Sequence, residues 1–288
     1  MNKYELIGSG EIIVGKNVNI GQDVKFIAPE GAKVTIGDYA TLGDGVKIII
    51  EAGSVCIGDW TTLHSNCLLL STLGLEIGQH CWFGQNTVLD GTGSLIIKNG
   101  VRVGMFSQIW THVAAGEQIE GCTLIGTNPV VIEDDAWLVG TCTVGSGVVI
   151  GKRAICMNGS NVTKSVVENT VVAGLPAKVR PGLNFYKDLS LEDKFELLIS
   201  WLQDFTSKNK DISVGSLSNV KVILKTEIET ITFYKLRGDY DKNAISTNES
   251  KFEIETKKYA KSFINLEQRV MKYLSGNKAR FYHYSSLK

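Results

Sequence analysis

No two cysteines stand in a Cys-x-x-Cys arrangement, and no histidine cluster accompanies the six present, at positions 56, 67, 81, 122, 142 and 156. That spacing excludes the common zinc and redox motifs and argues for reduced thiols. The four histidines, at 64, 80, 112 and 283, include no pair at ligand spacing, so no catalytic metal is expected. Lys plus Arg (30) cancels Asp plus Glu (30), which leaves no global field to favour nucleic acid or an acidic membrane. No uninterrupted apolar run approaches about 18 residues, the length a membrane span needs. Met1 to Gly10 has neither the basic segment nor the apolar stretch of a secretory leader. A cytoplasmic protein is the expectation.

What the chain does have is a beat of six. From Ile132 an aliphatic residue or its stand-in returns at Leu138, Val144, Ile150, Cys156 and Val162. The same beat runs through Ile36, Leu42 and Ile48, through Ile77, Phe83 and Leu89, and through Ile97, Val103 and Ile109. Glycine often follows it (Gly37, Gly43, Gly58, Gly78, Gly84, Gly104, Gly145, Gly151), and a small residue sits four places on (Ala40, Thr61, Cys81, Ser107, Ala136, Cys142). Neither a helical period of 3.6 nor an alternation of 2 gives this pattern. A hexad reads as a short strand plus a turn, stacked coil on coil into a solenoid. Cys81 and Cys142 fall in the small inward slot and Cys156 in the aliphatic one, where free cysteine acts as a small hydrophobe.

The beat loses phase between Leu63 and Ile77, slips by two at Asp90-Gly91-Thr92-Gly93, and breaks most widely from Thr111 to Pro129. A coil has no use for an insertion of that size, so the last segment should leave the wall as a functional loop. After Gly182 the pattern changes. Ser190-Leu191-Glu192-Asp193 resembles a capping box, and Leu191, Phe195, Leu198, Leu202 and Phe205 follow at helical spacing. Alternation between Val220 and Phe233 suggests strands, Asp239 to Ser250 is turn-like, and Tyr259, Phe263, Leu266, Val270 and Leu274 suggest a final helix. The expected fold is mainly β: a left-handed parallel β-helix over residues 1–183 with an α+β appendage over residues 184–288.

The hexads resemble those of the hexapeptide-repeat left-handed β-helix acyltransferases. So do Trp137-Leu138-Val139-Gly140-Thr141, Asn161-Val162-Thr163-Lys164 and the run Ala173-Gly174-Leu175-Pro176-Ala177-Lys178. The likeness covers residues 12–182 and is nearest to the maltose, galactoside and xenobiotic acetyltransferases and to O-acetyltransferases of surface polysaccharides. It implies a homotrimer that uses acetyl-CoA as cosubstrate and a sugar or glycan as acceptor. Cys142 in its buried small slot gives no reason for a covalent acyl-enzyme, so direct transfer is the expectation. The residue matching the family's general base is His112, at the mouth of the long insertion. A hydroxyl whose pKa lies far above 7 needs such a base as it attacks a thioester.

The resemblance places acetyl-CoA against Trp137, Gly140, Thr141, Gly159, Ser160, Thr163, Lys164, Lys178 and Arg180, with a backbone N–H near Gly140-Thr141 facing the oxyanion. It places the acceptor against Gln85, Asn86 and Asp90, whose amides and carboxylate suit sugar hydroxyls. Asn and Asp are also ordinary turn residues in a β-helix. His80 falls at an exposed corner of a hexad and reads as structural or solvated. The nearest rival activity is N-acetylation of an amino sugar nucleotide, which the same histidine would serve. A catalytically silent scaffold is the rival from another class.

Overall fold

A computed structural model describes residues 4–239 and 247–284, so part of the turn expected between Asp239 and Ser250 lies outside the described residues. The chain divides into two compact units, residues 1–186 and 187–288. Among the described residues the first unit has three large sheets of eight, seven and nine strands, built almost wholly from parallel pairs, and one two-stranded antiparallel sheet. Successive strands pass from sheet to sheet in turn, as Lys47–Ile50, Ser54–Ile57 and Thr62–Leu63 do, so the unit is a three-faced parallel β-helix.

We number the faces in that order. Inward residues stack in columns, such as Phe26, Ile48, Leu69, Leu89, Ile109, Val144 and Val162 on the first face, each almost fully buried. Each such side chain is worth roughly 1.5–3 kcal/mol of burial. The second-face strands Ser54–Ile57, Leu75–Ile77 and Leu95–Ile97 pair with Ile57, Ile77 and Ile97 in register. These coils are therefore longer than three hexads. The apparent slips in the beat are the extra residues turning the corner between the first and second faces.

Stacking coils at strand-pairing distance dictates the corner chemistry. A Cβ on Gly37, Gly58, Gly84 or Gly151 would lie 2.4–2.6 Å from backbone of the next coil, and on Gly104 it would lie 1.9 Å from the Val139 carbonyl oxygen. Three places after the beat the backbone enters the left-handed region, at Asn66 (φ 61°), Asn86 (φ 59°), Phe106 (φ 59°) and Thr141 (φ 49°). Asn and Asp tolerate this conformation best, which explains their frequency there. Corner N–H groups that face no strand are satisfied by side chains one coil on: Gln22 N–H donates to Asp44 Oδ1 (2.8 Å), Gln79 to Asn99 Oδ1 (2.9 Å) and Asn99 to Asp134 Oδ1 (2.9 Å).

His80 also occupies a left-handed corner (φ 56°), but it is buried, and its ring stacks in parallel on Trp60. The expected exposed corner is corrected by that aromatic column, which Tyr39 continues. None of the six cysteines, all among the described residues, is in a disulfide; four are buried, and burial pushes the Cys67 thiol up to about 11 and that of Cys156 up to about 12.

The second unit carries the helix Leu191–Lys208, opened by Ser190 with the expected reciprocal cap to Asp193. A six-stranded sheet and the helix Asn265–Leu274 follow. That last helix starts later than its apolar spacing implies. Tyr259 belongs to the strand Lys258–Ala260, where it stacks on Phe252 of the neighbouring strand. No helix of the described residues is long and apolar enough to cross a membrane.

Replacing Gly104 by Ala should cost about 3 kcal/mol, because the overlap is with rigid backbone. Thermal melting of the variant checks this, and an unchanged Tm would contradict the stacking account.

Candidate active site

The insertion leaves the solenoid at the corner between the first and second faces. His112–Ala114 pairs antiparallel with Ile125–Thr127, so the segment is a hairpin with His112 opposite Thr127 at its base. Asn128 N–H donates to the Thr111 carbonyl (2.9 Å), and Ser146 of the next coil donates its hydroxyl to the same oxygen (3.0 Å). Gly93 presses in from the coil below: its N–H donates to Thr111 Oγ1 (2.7 Å), and a Cβ there would lie 2.5 Å from the Thr111 carbonyl. The base of the hairpin is thus fixed on both sides.

Within this corner Asp90 Oδ2 lies 2.8 Å from His112 Nδ1. Asp90 has no exposed surface, whereas the His112 side chain is about a third exposed (36%). Burial by itself would raise the Asp90 pKa. Hydrogen bonds from Thr92, from the Thr111 amide, from His112 and from the Thr111 hydroxyl outweigh it and hold the carboxyl below its ordinary value. Thr92 Oγ1 donates to Oδ1 (2.6 Å) and the Thr111 N–H to Oδ2 (2.7 Å). An ionised carboxylate only accepts, so the neutral imidazole carries its proton on Nδ1 and presents the lone pair of Nε2. The corner thereby holds an oriented base.

This geometry corrects the reading of Asp90 as an acceptor contact. A fully buried carboxylate whose oxygens are taken by Thr92, Thr111 and His112 meets no sugar hydroxyl. Gln85 and Asn86 lie in the same coil but at its other corner, between the third and first faces, where Asn86 serves the left-handed turn. Gly140, Thr141 and Gly159 stack above them at that far corner. Ser160 is buried and its hydroxyl donates to the Met157 carbonyl, so its side chain is closed to a ligand.

Thr141 N–H is already donated to the Met105 carbonyl (2.9 Å), which removes it as an oxyanion donor. The N–H of Gly140, a buried residue, makes no hydrogen bond among the described residues. Thr163 and Lys164 are exposed and stand on the insertion corner above His112. Trp137 is exposed on the third face, and Lys178 and Arg180 are exposed in and beside the strand Lys178–Val179 that ends that sheet. Cys142 is buried, as its slot in the hexad implies. Among the described residues no group of three or more His, Cys, Asp or Glu side chains could hold a metal.

The expected cosubstrate residues therefore occupy two corners of the prism and its third face. Met105 and His112 are seven positions apart along one coil. At about 3.3 Å per residue, less the turns, the corners stand roughly 15–20 Å apart.

No family model matches the chain. The chain is 31% identical over 167 residues, 58% of its length, to WcaF of Escherichia coli, named as an acetyltransferase of colanic acid biosynthesis, and covers 66% of that protein. It is 44% identical over 69 residues, 24% of its length, to a 2,3,4,5-tetrahydropyridine-2,6-dicarboxylate N-acetyltransferase of Staphylococcus aureus, covering 29% of it. The chain thus spans less than two thirds of the length of either relative. Among solved structures, the polySia-specific acetyltransferase NeuO superposes with a TM-score of 0.45 at 15% identity, over 71% of this chain and 99% of that one.

The Asp90 pKa is depressed in the fold, so its contribution to stability is present above the unfolded-state value and is lost as pH falls through the folded one. Asp90→Asn should therefore lower Tm clearly at pH 7, because the new amide hydrogens face donors. The gap from the parent should shrink below pH of about 4. A gap that is constant from pH 7 to pH 3 would count against an ionised Asp90.

Proposed function

A hexapeptide-repeat left-handed β-helix protein related to acetyltransferases, this chain, we propose, moves an acetyl group from acetyl-CoA to a sugar hydroxyl in the making of a surface polysaccharide. The observation that carries the reading is the buried Asp90 bonded to Nδ1 of a part-exposed histidine at the insertion corner. His112 Nε2 takes the hydroxyl proton as the acceptor oxygen attacks the thioester carbonyl. The new C–O bond forms, the C–S bond breaks, and His112 returns the proton to the departing thiolate. Asp90 fixes the tautomer and stabilises the imidazolium formed between those steps, as a carboxylate does in other histidine-based sites. The relationship to WcaF, named for colanic acid biosynthesis, supports the substrate class.

Acetyl-CoA suits the exposed residues at both corners: Lys164, Lys178 and Arg180 for its phosphates, Trp137 for its pantetheine arm. One subunit, however, cannot bring His112 and the Gly140 amide to the same carbonyl, since the width of the first face separates them. A homotrimer resolves this. If three copies turn their first faces inward, the insertion corner of each meets the far corner of the next, and the cleft between them is complete. The outward side chains of the first face agree with such a contact: Ile27, Ile49, Leu68, Leu70 and Val88 are apolar and only partly covered within one chain. Closed rings of this kind satisfy every interface at once.

The staphylococcal relative keeps N-acetylation as a second reading, with the same base acting on an amine. The second unit then serves acceptor choice or assembly, since the acyl-transfer residues all lie before it.

His112→Ala should lower kcat by on the order of a hundredfold or more with the KM for acetyl-CoA nearly unchanged, and Asp90→Asn should do the same to a lesser degree. Steady-state kinetics with acetyl-CoA and candidate glycans or amino sugars check this and identify the acceptor atom. Equal turnover in the His112 variant would remove the assignment. Light scattering should give three times the chain mass, and Leu70→Glu should give an inactive single chain. A fully active monomer would refute the shared cleft.

A further inference from the structure

Gly145 is a glycine that the fold does not require. It follows the beat as Gly37, Gly58, Gly84 and Gly104 do, and at those positions a Cβ would strike the next coil at under 3.0 Å. At Gly145 the nearest atom to an added Cβ would be 3.7 Å away, an ordinary contact, and the backbone there is not in the left-handed region. Neither packing nor conformation asks for the missing side chain.

The register shows what the vacancy adjoins. Gln108 and Ile109 pair with Thr143 and Val144, and Trp110 N–H donates to the Val144 carbonyl, so Gly145 stands beside Trp110 one coil on. Trp110 is partly exposed on the outward side of the first face, since Ile109 points into the core. Its indole N–H is spent on Gln108 Oε1 (3.1 Å), which fixes the ring without using its faces. The ring centroid lies 5.9 Å from that of His112, with the planes at 78°. An aromatic ring, an open position beside it and an oriented base thus share one corner.

We propose that Trp110 is the platform on which the acceptor sugar ring lies, in the space left by Gly145, with one hydroxyl turned to His112 Nε2. This rests on the acetyl-transfer reading and gives it a substrate class: a pyranose with an apolar ring face. An indole supplies a large rigid apolar surface that polar groups at the rim can complement, the usual make-up of a small-ligand site. The side chains bonded around the base, Thr92, Thr111, Gln108 and Ser146, are uncharged, and Asp90 is an anion.

The test uses the full-length protein, acetyl-CoA and methyl β-D-galactopyranoside, with glycerol as a polyol lacking a ring. Trp110→Ala should raise the sugar KM by about tenfold and leave the KM for acetyl-CoA within about twofold, while Trp110→Phe recovers most of the loss. Gly145→Val should raise the sugar KM without lowering Tm, because its Cβ has room. A rise in the acetyl-CoA KM alone, or equal use of glycerol and the pyranoside, would overturn the platform while leaving acetyl transfer intact. Should the parent protein acetylate no sugar, an NMR titration with the same pyranoside separates the two ideas. A shift of the Trp110 indole proton signal upholds the platform and sinks the transfer reading, and no shift sinks the platform.

Discussion

Every coil of the solenoid must lie within hydrogen-bonding reach of the next, about 4.8 Å away, and this spacing governs the rest of the molecule. It leaves no room for a Cβ after most beats, it forces the corners into left-handed backbone, and it calls on Asp and Asn to satisfy the amides that the corners strand. It also decides where chemistry can be placed. A residue inside the wall is committed to the core or to the ladder, so a functional group with freedom of position has to leave at a corner. The hairpin from His112 to Thr127 does so without disturbing the coils on either side: Gln108–Ile109 pairs directly with Thr143–Val144 across the excursion.

Asp90 is where wall and hairpin become one device. An unpaired buried carboxylate would cost several kcal/mol, and this one meets the cost with donors from its own coil (Thr92) and the next (Thr111, His112). The same bonds that make its burial tolerable fix the histidine ring. A substitution that frees the ring therefore also strands a charge.

The parts of this architecture that were legible in sequence are those set by short-range repetition. The beat names the inward column, and the cap at Ser190 names the start of a helix, because both depend on neighbours a few residues away. The slip at Asp90–Gly93 was visible as a slip, but nothing local distinguishes a buried Asp from a turn Asp. The distinction arises only when the coil above places His112 and Thr111 over it. One signal was available: Asp90 continues an outward column otherwise formed by Ile27, Ile49 and Leu70, where an acidic residue is out of keeping. Gln85 and Asn86 part from Asp90 within one chain for a related reason. Five residues span a whole face of the prism, so proximity in sequence carries side chains to opposite corners. Tyr259 was misassigned because apolar residues four apart suit a helix and a strand–turn–helix equally until strand pairing decides.

The bonds that close the hairpin at Thr111, Asn128 and Ser146 isolate the length of the excursion from the register of the wall. For a loop whose ends are already held together, added residues raise the closure cost only logarithmically, by roughly 0.6 kcal/mol per doubling. The tip, with exposed Ile119 and Leu124, can therefore lengthen, shorten or change its sequence while His112 stays oriented and the coils stay paired. A scaffold built this way separates what must be conserved from what is free to drift, and new specificities become accessible through insertions that the core never senses.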